Sequence, residues 1–529
     1  MVFTLHRYIF RDLLRVFVLT AVVLTAMLSL TTMVGSMQKF GVPPEQILHL
    51  LGYFLPITLT FVLPMSALFA AALVYGRLAS DNELDACKAS GIGLMTLVYP
   101  GLCLAIVIAI ANLVLSFHVV PAFIHRAERA LKANTKQILF RNIQRNGYYT
   151  LPPDNRYRIY ADRADPANDL LFGVIITDFQ HGRINKITTA ETAKIIIDTH
   201  KGFNEVTIVA LETYQIDDLG QSYSQELAVN TTFPPLLSDN IKFQKIEQIK
   251  EIRADMMTFY PVRKLAEAAR AQLSMELLAE EIAEKIAEES RNHYQLEAED
   301  RILMFTAAES RASDERTIDL VGPIELREYT ILGEPICQYN SNSGKLLLSN
   351  NDVGTKMVMD IDAPTWEFSD GRKGIAQRHV VRYISFPETV AAKLDSTDFL
   401  SQDPLGSMLK QPSGILTNKL DDISFKVTST INEIIAETHT RLVFGLGCIT
   451  LVMISIALGI IFKGGHLLTA FGTSTVPAGV LIVCIMAGKN LTKARTSAMP
   501  ESTGIIVMWA GLAVLSVLCF VIYRKLMKT

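Results

Sequence analysis

The sequence predicts an α-helical integral membrane protein: six transmembrane helices, three plus three, around a large inserted β-rich, β-jellyroll-like domain that carries a helical insertion. Three observations predict it. Apolar residues are segregated to the two ends of the 529-residue chain. Six runs there are long enough to cross a bilayer. The stretch between them alternates hydrophobic and polar residues over short distances. The expected division is 1–123, 124–436 and 437–529.

A helix rises 1.5 Å per residue, so a hydrocarbon core of about 30 Å takes roughly 20 apolar residues. The runs that qualify are 16–34, 47–75, 94–120, 442–462, 467–487 and 503–523. Pro56 and Pro64 fall in the second and Pro477 in the fifth. Proline is tolerated in membrane helices where neighbours satisfy the freed backbone groups, so these positions predict kinks and not ends. The first run is too long for a cleaved leader and closes on Met33-Val34-Gly35-Ser36 without a small-x-small site.

Orientation follows from basic residues near span ends. Arg7, Arg11 and Arg15 precede the first span, Arg77 and Lys88 lie between the second and third, and Arg524, Lys525 and Lys528 follow the sixth. If each span crosses once, all three groups share one side, which should be cytoplasmic. Lys489, Lys493 and Arg495, between spans five and six, oppose this assignment and are outnumbered. Both termini are then cytoplasmic, and the β-rich region lies across the membrane.

Composition excludes several function classes. A net charge of −3 offers no basic surface for nucleic acid. Of six cysteines only Cys337 lies in the water-exposed region, so no disulfide framework is present. Walker A, Gly-x-Ser-x-Gly, His-Glu-x-x-His and Cys-x-x-Cys patterns are absent from the sequence. Neither a catalytic residue, a cofactor nor a metal is expected. Glu437 and His439, two apart, make no metal site. The spans are almost free of ionisable residues, which argues against proton coupling and against an intramembrane enzyme. An apolar groove for acyl chains could use Phe54, Phe61, Phe69 and Leu73 along the second span; ordinary packing or lipid contact is the plain alternative.

In the insert, 147–245 shows short alternating runs separated by turn signals such as Pro152-Pro153-Asp154-Asn155 and Lys201-Gly202. A second strand-rich stretch covers 318–386. Between them, 258–312 is rich in Ala, Glu and Leu and reads as helical. Met275, Leu278, Ile282 and Ile286 recur at helical spacing there, and Glu281 precedes Lys285 by four. Such a segment either packs on its own sheet or serves as a docking arm.

The connection between spans two and three is the most informative segment. Ser80 followed by Glu83 forms the pattern of a capping box, Asp81, Glu83 and Asp85 place negative charge on a first turn, and Gly91 suits a C-terminal stop. A helix over about 80–90 is expected on the cytoplasmic face. It is either a plain connector or a coupling helix seated in a groove of a soluble motor.

Arg77-Leu78-Ala79-Ser80-Asp81-Asn82-Glu83-Leu84, with Lys88-Ala89-Ser90-Gly91 after it, resembles the coupling segment of the lipopolysaccharide export permeases, the LptF/LptG family. Arg7-Tyr8-Ile9-Phe10-Arg11-Asp12-Leu13-Leu14 resembles the family's opening. Leu55-Pro56 and Leu63-Pro64 resemble its proline-bearing second span, and Glu437-Thr438-His439-Thr440-Arg441 its approach to the second bundle. The resemblance implies an ABC transporter permease of the bacterial inner membrane, without ATPase activity of its own. It implies a cytoplasmic LptB-like ATPase homodimer, a second permease of the same family, an LptC/LptA-like periplasmic bridge protein and lipopolysaccharide, or a related glycolipid, among membrane lipids. Carried onto this chain, the coupling residues are Arg77, Ser80, Asp81, Glu83 and Leu84. Lys39 and Arg441, with Phe54, Phe61 and Phe69, are the candidate lipid contacts; interfacial snorkelling is the plain alternative for the two cations. The chain is longer than usual for the family, with the excess in 250–430. A membrane-anchored envelope scaffold or sensor is the competing reading.

Overall fold

Long apolar runs dominate the local structure at both ends of the chain, and pleated alternation dominates the middle. The computed structural model describes residues 2–40, 44–133, 135–151, 157–166, 168–180, 183–199, 204–217, 220–233, 240–287, 293–351, 354–401, 404–406, 408–462, 467–493 and 502–528. It divides into two compact units. One comprises Met1–Ile138, Pro235–Asp255 and Thr428–Thr529, the other Leu139–Pro234 and Met256–Val427.

The first unit is helical. Its N-terminal part runs α1 (Val2–Phe40), α2 (Pro44–Ser80), α3 (Glu83–Ala89) and α4 (Leu94–Val114). A π-helical turn over Leu115–Val119 then leads into α5 (Val120–Ala133). Among the described residues, six segments are long and apolar enough to cross a membrane: Phe3–Ser29, Gly52–Ser80, Leu94–Arg129, Gly414–Ile461, Thr475–Lys493 and Ser502–Leu526. Three precede the strands in the chain and three follow them. The helices continue well past the apolar runs because amphipathic turns extend them; α5 buries Ile124 and Ala127 while Arg126 lies over the Phe123 ring. Pro56 and Pro64 lie inside α2 and end nothing.

Two apolar cores hold the helices. One gathers Ile9, Leu13, Ala71, Val74, Tyr75, Leu97, Leu104 and Ile456. The other gathers Leu68, Val443, Leu451, Leu481, Met508 and Leu515. Lipid tails give helices no hydrophobic reason to associate, so close packing of small residues contributes much of the cohesion. A Cβ on Gly504 would run into Gly488 O and into Thr492 N at 2.7 Å, so the backbones of the fifth and sixth spans touch there.

The second unit begins within α6 (Thr135–Asn146) and continues into a six-stranded antiparallel sheet. Its strands are β1 (Tyr148–Thr150), β2 (Tyr157–Asp165), β3 (Leu170–Gln180), β4 (Arg183–Thr199), β5 (Asn204–Asp217) and β6 (Gly220–Phe233), paired in chain order. Period-two patterning sends Ile159, Val174, Ile176, Ala193, Ile195 and Ile208 to one face, against Leu139, Phe140 and Ile143 of α6.

After α7 (Ile246–Ala254), α8 (Tyr260–Ala287) packs on a second sheet of nine strands. These are β7 (Tyr294–Glu297), β8 (Arg301–Thr306), β9 (Glu309–Ala312), β10 (Thr317–Thr330), β11 (Pro335–Asn351), β12 (Gly354–Asp362), β13 (Thr365–Phe368), β14 (Lys373–Ile375) and β15 (Arg378–Ser385). A bridge between Ala298 and Ile384 links the end of β7 back to β15. Met275, Leu278 and Ile282 of α8 are fully buried in this core.

The helical reading of 258–312 is corrected here: the helix stops at Ala287 and the remainder forms strands. Tyr294 and Leu296, then Leu303 and Phe305, face inward while their neighbours face out. That alternation outweighs the Ala/Glu composition that suggested a helix. Short α9 (Glu388–Asp395) precedes α10 (Gly414–Ile461), α11 (Leu467–Lys493) and α12 (Ser502–Leu526).

Candidate functional site

Leu78 and Ala79 are buried among Ile9, Leu13 and Leu94, and this packing keeps α2 helical through Ser80. A turn at Asp81-Asn82 then separates it from α3. Asn82 takes the left-handed conformation (φ 57°), which asparagine tolerates better than most residues. The expected capping box is therefore corrected: Ser80 is the last residue of α2, the short helix starts at Glu83, and Asn82 makes no side-chain cap.

The other end follows local chemistry closely. Gly91 (φ 81°) donates its amide to Lys88 O at 2.9 Å, and Ile92 donates to Cys87 O at 3.1 Å, the double bond of a Schellman stop. Between these ends Leu84, 2% exposed, plugs the core beside Leu78 and Leu97. Asp81, Asn82 and Glu83 are exposed. Arg77 forms an ion pair with Asp12 of α1, so the structure engages it within the chain. The segment thus has an apolar root in three spans and an acidic, solvent-facing start.

A second cluster lies in the same unit around Arg441. This side chain is 5% exposed; it donates to Lys242 O at 2.8 Å, lies 3.6 Å from Glu437 and sits 5.3 Å over the Phe117 ring. Lys489 pairs with the same carboxylate at 2.5 Å. The Lys242 amine is 5.8 Å from the Phe61 ring and 5.7 Å from that of Phe243, and burial holds its pKa below the ordinary lysine value. Phe61 packs 5.8 Å from Phe444. Three cations therefore face one carboxylate. Among the described residues, Arg441 Nη1 is buried without a hydrogen-bond partner. Such a surplus of fixed donors suits an anionic oxygen that brings its own charge.

The structure thus brings Arg441 and Phe61 together, with Lys242 between them. Phe54 and Phe69 are half-buried along α2. Lys39 lies outside the residues whose side chains are described, and Arg495 outside the described residues altogether. Sequence reasoning missed Lys242, Lys489 and Phe117 as members. Lys242 carries no motif, and Lys489 entered only as a contrary charge. The sole signal was the excess of basic residues beside spans.

A family description, the lipopolysaccharide export system permease LptF/LptG, matches residues 7–306, more than half of the chain. The matched stretch takes in the first three spans, the α3 segment and the six-stranded sheet; the last three spans lie beyond it. No curated protein matches the chain.

Proposed function

From the premise that this chain belongs to the LptF/LptG family of lipopolysaccharide export permeases, we propose how it works. It is a transport protein of the membrane and not an enzyme. In this proposal it is the permease subunit of an ABC transporter of the inner membrane. It pairs with a second permease of the family, is driven by a cytoplasmic ATPase homodimer of the LptB kind, and draws lipopolysaccharide or a related glycolipid from the bilayer. The β-rich region faces the periplasm as a jellyroll-like passage toward an LptC/LptA-like bridge, and both termini are cytoplasmic.

One observation carries the reading: α3 is exposed and acidic at its start yet rooted by Leu84 in the core of spans one to three. A groove of the ATPase closing on Asp81 and Glu83 would displace the helix. Through Leu84 that displacement reaches Ile9 and Leu13 of α1, Leu78 of α2 and Leu97 of α4. A seven-residue helix cannot fold on its own, so its position is set by what it packs against. Lys242 and Arg441 hold the anionic head group, with Phe61 beside them for the apolar part. Phe54 and Phe69 extend that apolar wall along α2, and Lys39 offers a further cation at the end of the first span.

The test is ATP-dependent release of glycolipid from reconstituted complex, with wild type compared to Glu83→Arg. The variant should lose ATPase pull-down and release while folding normally. Normal pull-down by the variant would count against the coupling role. A stable complex that hydrolyses ATP and releases no lipid would favour the scaffold.

A further inference from the structure

Proline leaves carbonyls unpaired inside the spans, and the chain fills them with side chains from neighbouring helices. Pro64 lacks the amide hydrogen that would reach Thr60 O four residues back. Asn112 Nδ2 of α4 donates to that oxygen instead, at 3.0 Å. The same amide lies 3.6 Å from Cys448 Sγ of α10, and Asn112 is 2% exposed, so one buried side chain joins three spans. Pro100 of α4 leaves Thr96 O in the same state, and His6 Nε2 sits 2.8 Å from it.

The two halves of α2 are held differently. On the C-terminal side of Pro64, Ser455 Oγ donates to Leu68 O at 2.6 Å, and a Cβ on Gly459 would come within 3.0 Å of Ala72 O. That half is seated on α10 through its backbone, whereas the N-terminal half meets α10 through the Phe61 ring, 5.8 Å from Phe444. On the N-terminal side, the Thr58 and Thr60 hydroxyls bond back to Leu55 O and Ile57 O at 2.8 and 2.6 Å, an arrangement that favours bending. Just past Asn112 the ladder of the third span widens into the π turn at Leu115–Val119, a form common at functional positions. Spans two and three, which α3 joins, are interrupted beside Asn112 at Pro64 and at the π turn, and this side chain reaches from one span to the other.

We infer that Asn112 is a positioning residue for transport: it pins the N-terminal half of α2, which carries Phe54 and Phe61, to α4 at the Pro64 break, and its release is where that half swings. A single neutral hydrogen bond favours the closed arrangement by roughly a factor of ten, enough to define it and weak enough to open during a cycle. The positioning role rests on the lipid-export reading; the pin itself does not.

Four forms of the full chain, assembled with ATPase and paired permease in lipid, test this: wild type, Asn112→Leu, Pro64→Ala and the double variant. Alanine at 64 gives Thr60 O its own backbone donor. Asn112→Leu should therefore lower the unfolding midpoint by a few degrees in the wild-type background and cause no further loss beside Pro64→Ala. Additive losses overturn the pin. If Asn112→Leu alone does not assemble, the double variant must; failure of both overturns the pin as well. Lipid released per ATP hydrolysed should fall about fivefold or more in Asn112→Leu and in Pro64→Ala, with ATPase pull-down unchanged. An unchanged ratio in both overturns the positioning role even where the pin holds. A wild-type complex that releases no lipid on hydrolysis ends the export reading and the positioning role together, while the unfolding midpoints still decide the pin.

Discussion

Replacing Leu84 with alanine should detach α3 without altering the surface it offers. Leu84 is 2% exposed and surrounded by Ile9, Leu13, Leu78 and Leu97. Truncating a leucine in such a site costs about 3 kcal/mol, from lost transfer energy and the cavity left behind. Only seven residues long, α3 has no cooperative reserve of its own, so the loss falls on local docking and not on the whole fold. About 3 kcal/mol corresponds to roughly a hundredfold shift toward the detached state. Hydrogen exchange followed by mass spectrometry reads this directly on peptides covering 79–92. The amides of Ala86 and Ser90, bonded to Asn82 O at 3.0 Å and Ala86 O at 3.1 Å, should exchange about a hundredfold faster. ATP hydrolysis should continue while lipid release per ATP collapses. Glu83→Arg is the control, because its exposed side chain can change without affecting exchange. Unchanged exchange in Leu84→Ala would refute the view that Leu84 roots the helix. Faster exchange with normal lipid release would refute force transmission through it.

Three further outcomes are expected. Burial opposes ionisation of Glu281, but Lys285 at 2.7 Å, Thr389 and the Tyr294 hydroxyl outweigh it and hold its pKa below the ordinary glutamate value. A depressed carboxyl contributes stability above its unfolded value and loses it as pH falls through the folded one. Glu281→Gln should thus lower the melting midpoint at pH 7, and the gap to wild type should narrow as pH falls below the ordinary glutamate range; a gap independent of pH would refute this. Gly504→Ala should force α11 and α12 apart and cost about 1–3 kcal/mol, read as a lower midpoint in detergent, since the added methyl meets backbone atoms that cannot rotate away. Lys242→Met keeps the buried stem and removes the charge; titration of glycolipid into purified protein should show roughly tenfold weaker binding if that amine faces the head group, and equal affinity would exclude it.

Much of the architecture was legible because its causes are local. Twenty consecutive apolar residues have few alternatives to a membrane helix, whatever surrounds them. Alternation at 148–233 specifies strands through the pleat, and Gly91 stops α3 because it readily adopts positive φ. The sequence therefore determined the six spans, the β-rich middle and the acidic segment between spans two and three. Local cues also misled where two patterns competed. Ser80 and Glu83 match a capping box, yet the burial of Leu78 and Ala79 carries α2 past it. Residues 294–312 have helix-like composition, yet their side chains alternate. Only the tertiary structure decided which distant residues meet. Arg441 finds Lys242 across 199 positions and Asn112 finds Thr60 across 52. The physical reason is one of range: hydropathy and turn chemistry act within a few residues. Unpaired carbonyls and surplus charges are settled only when a neighbouring helix supplies the partner.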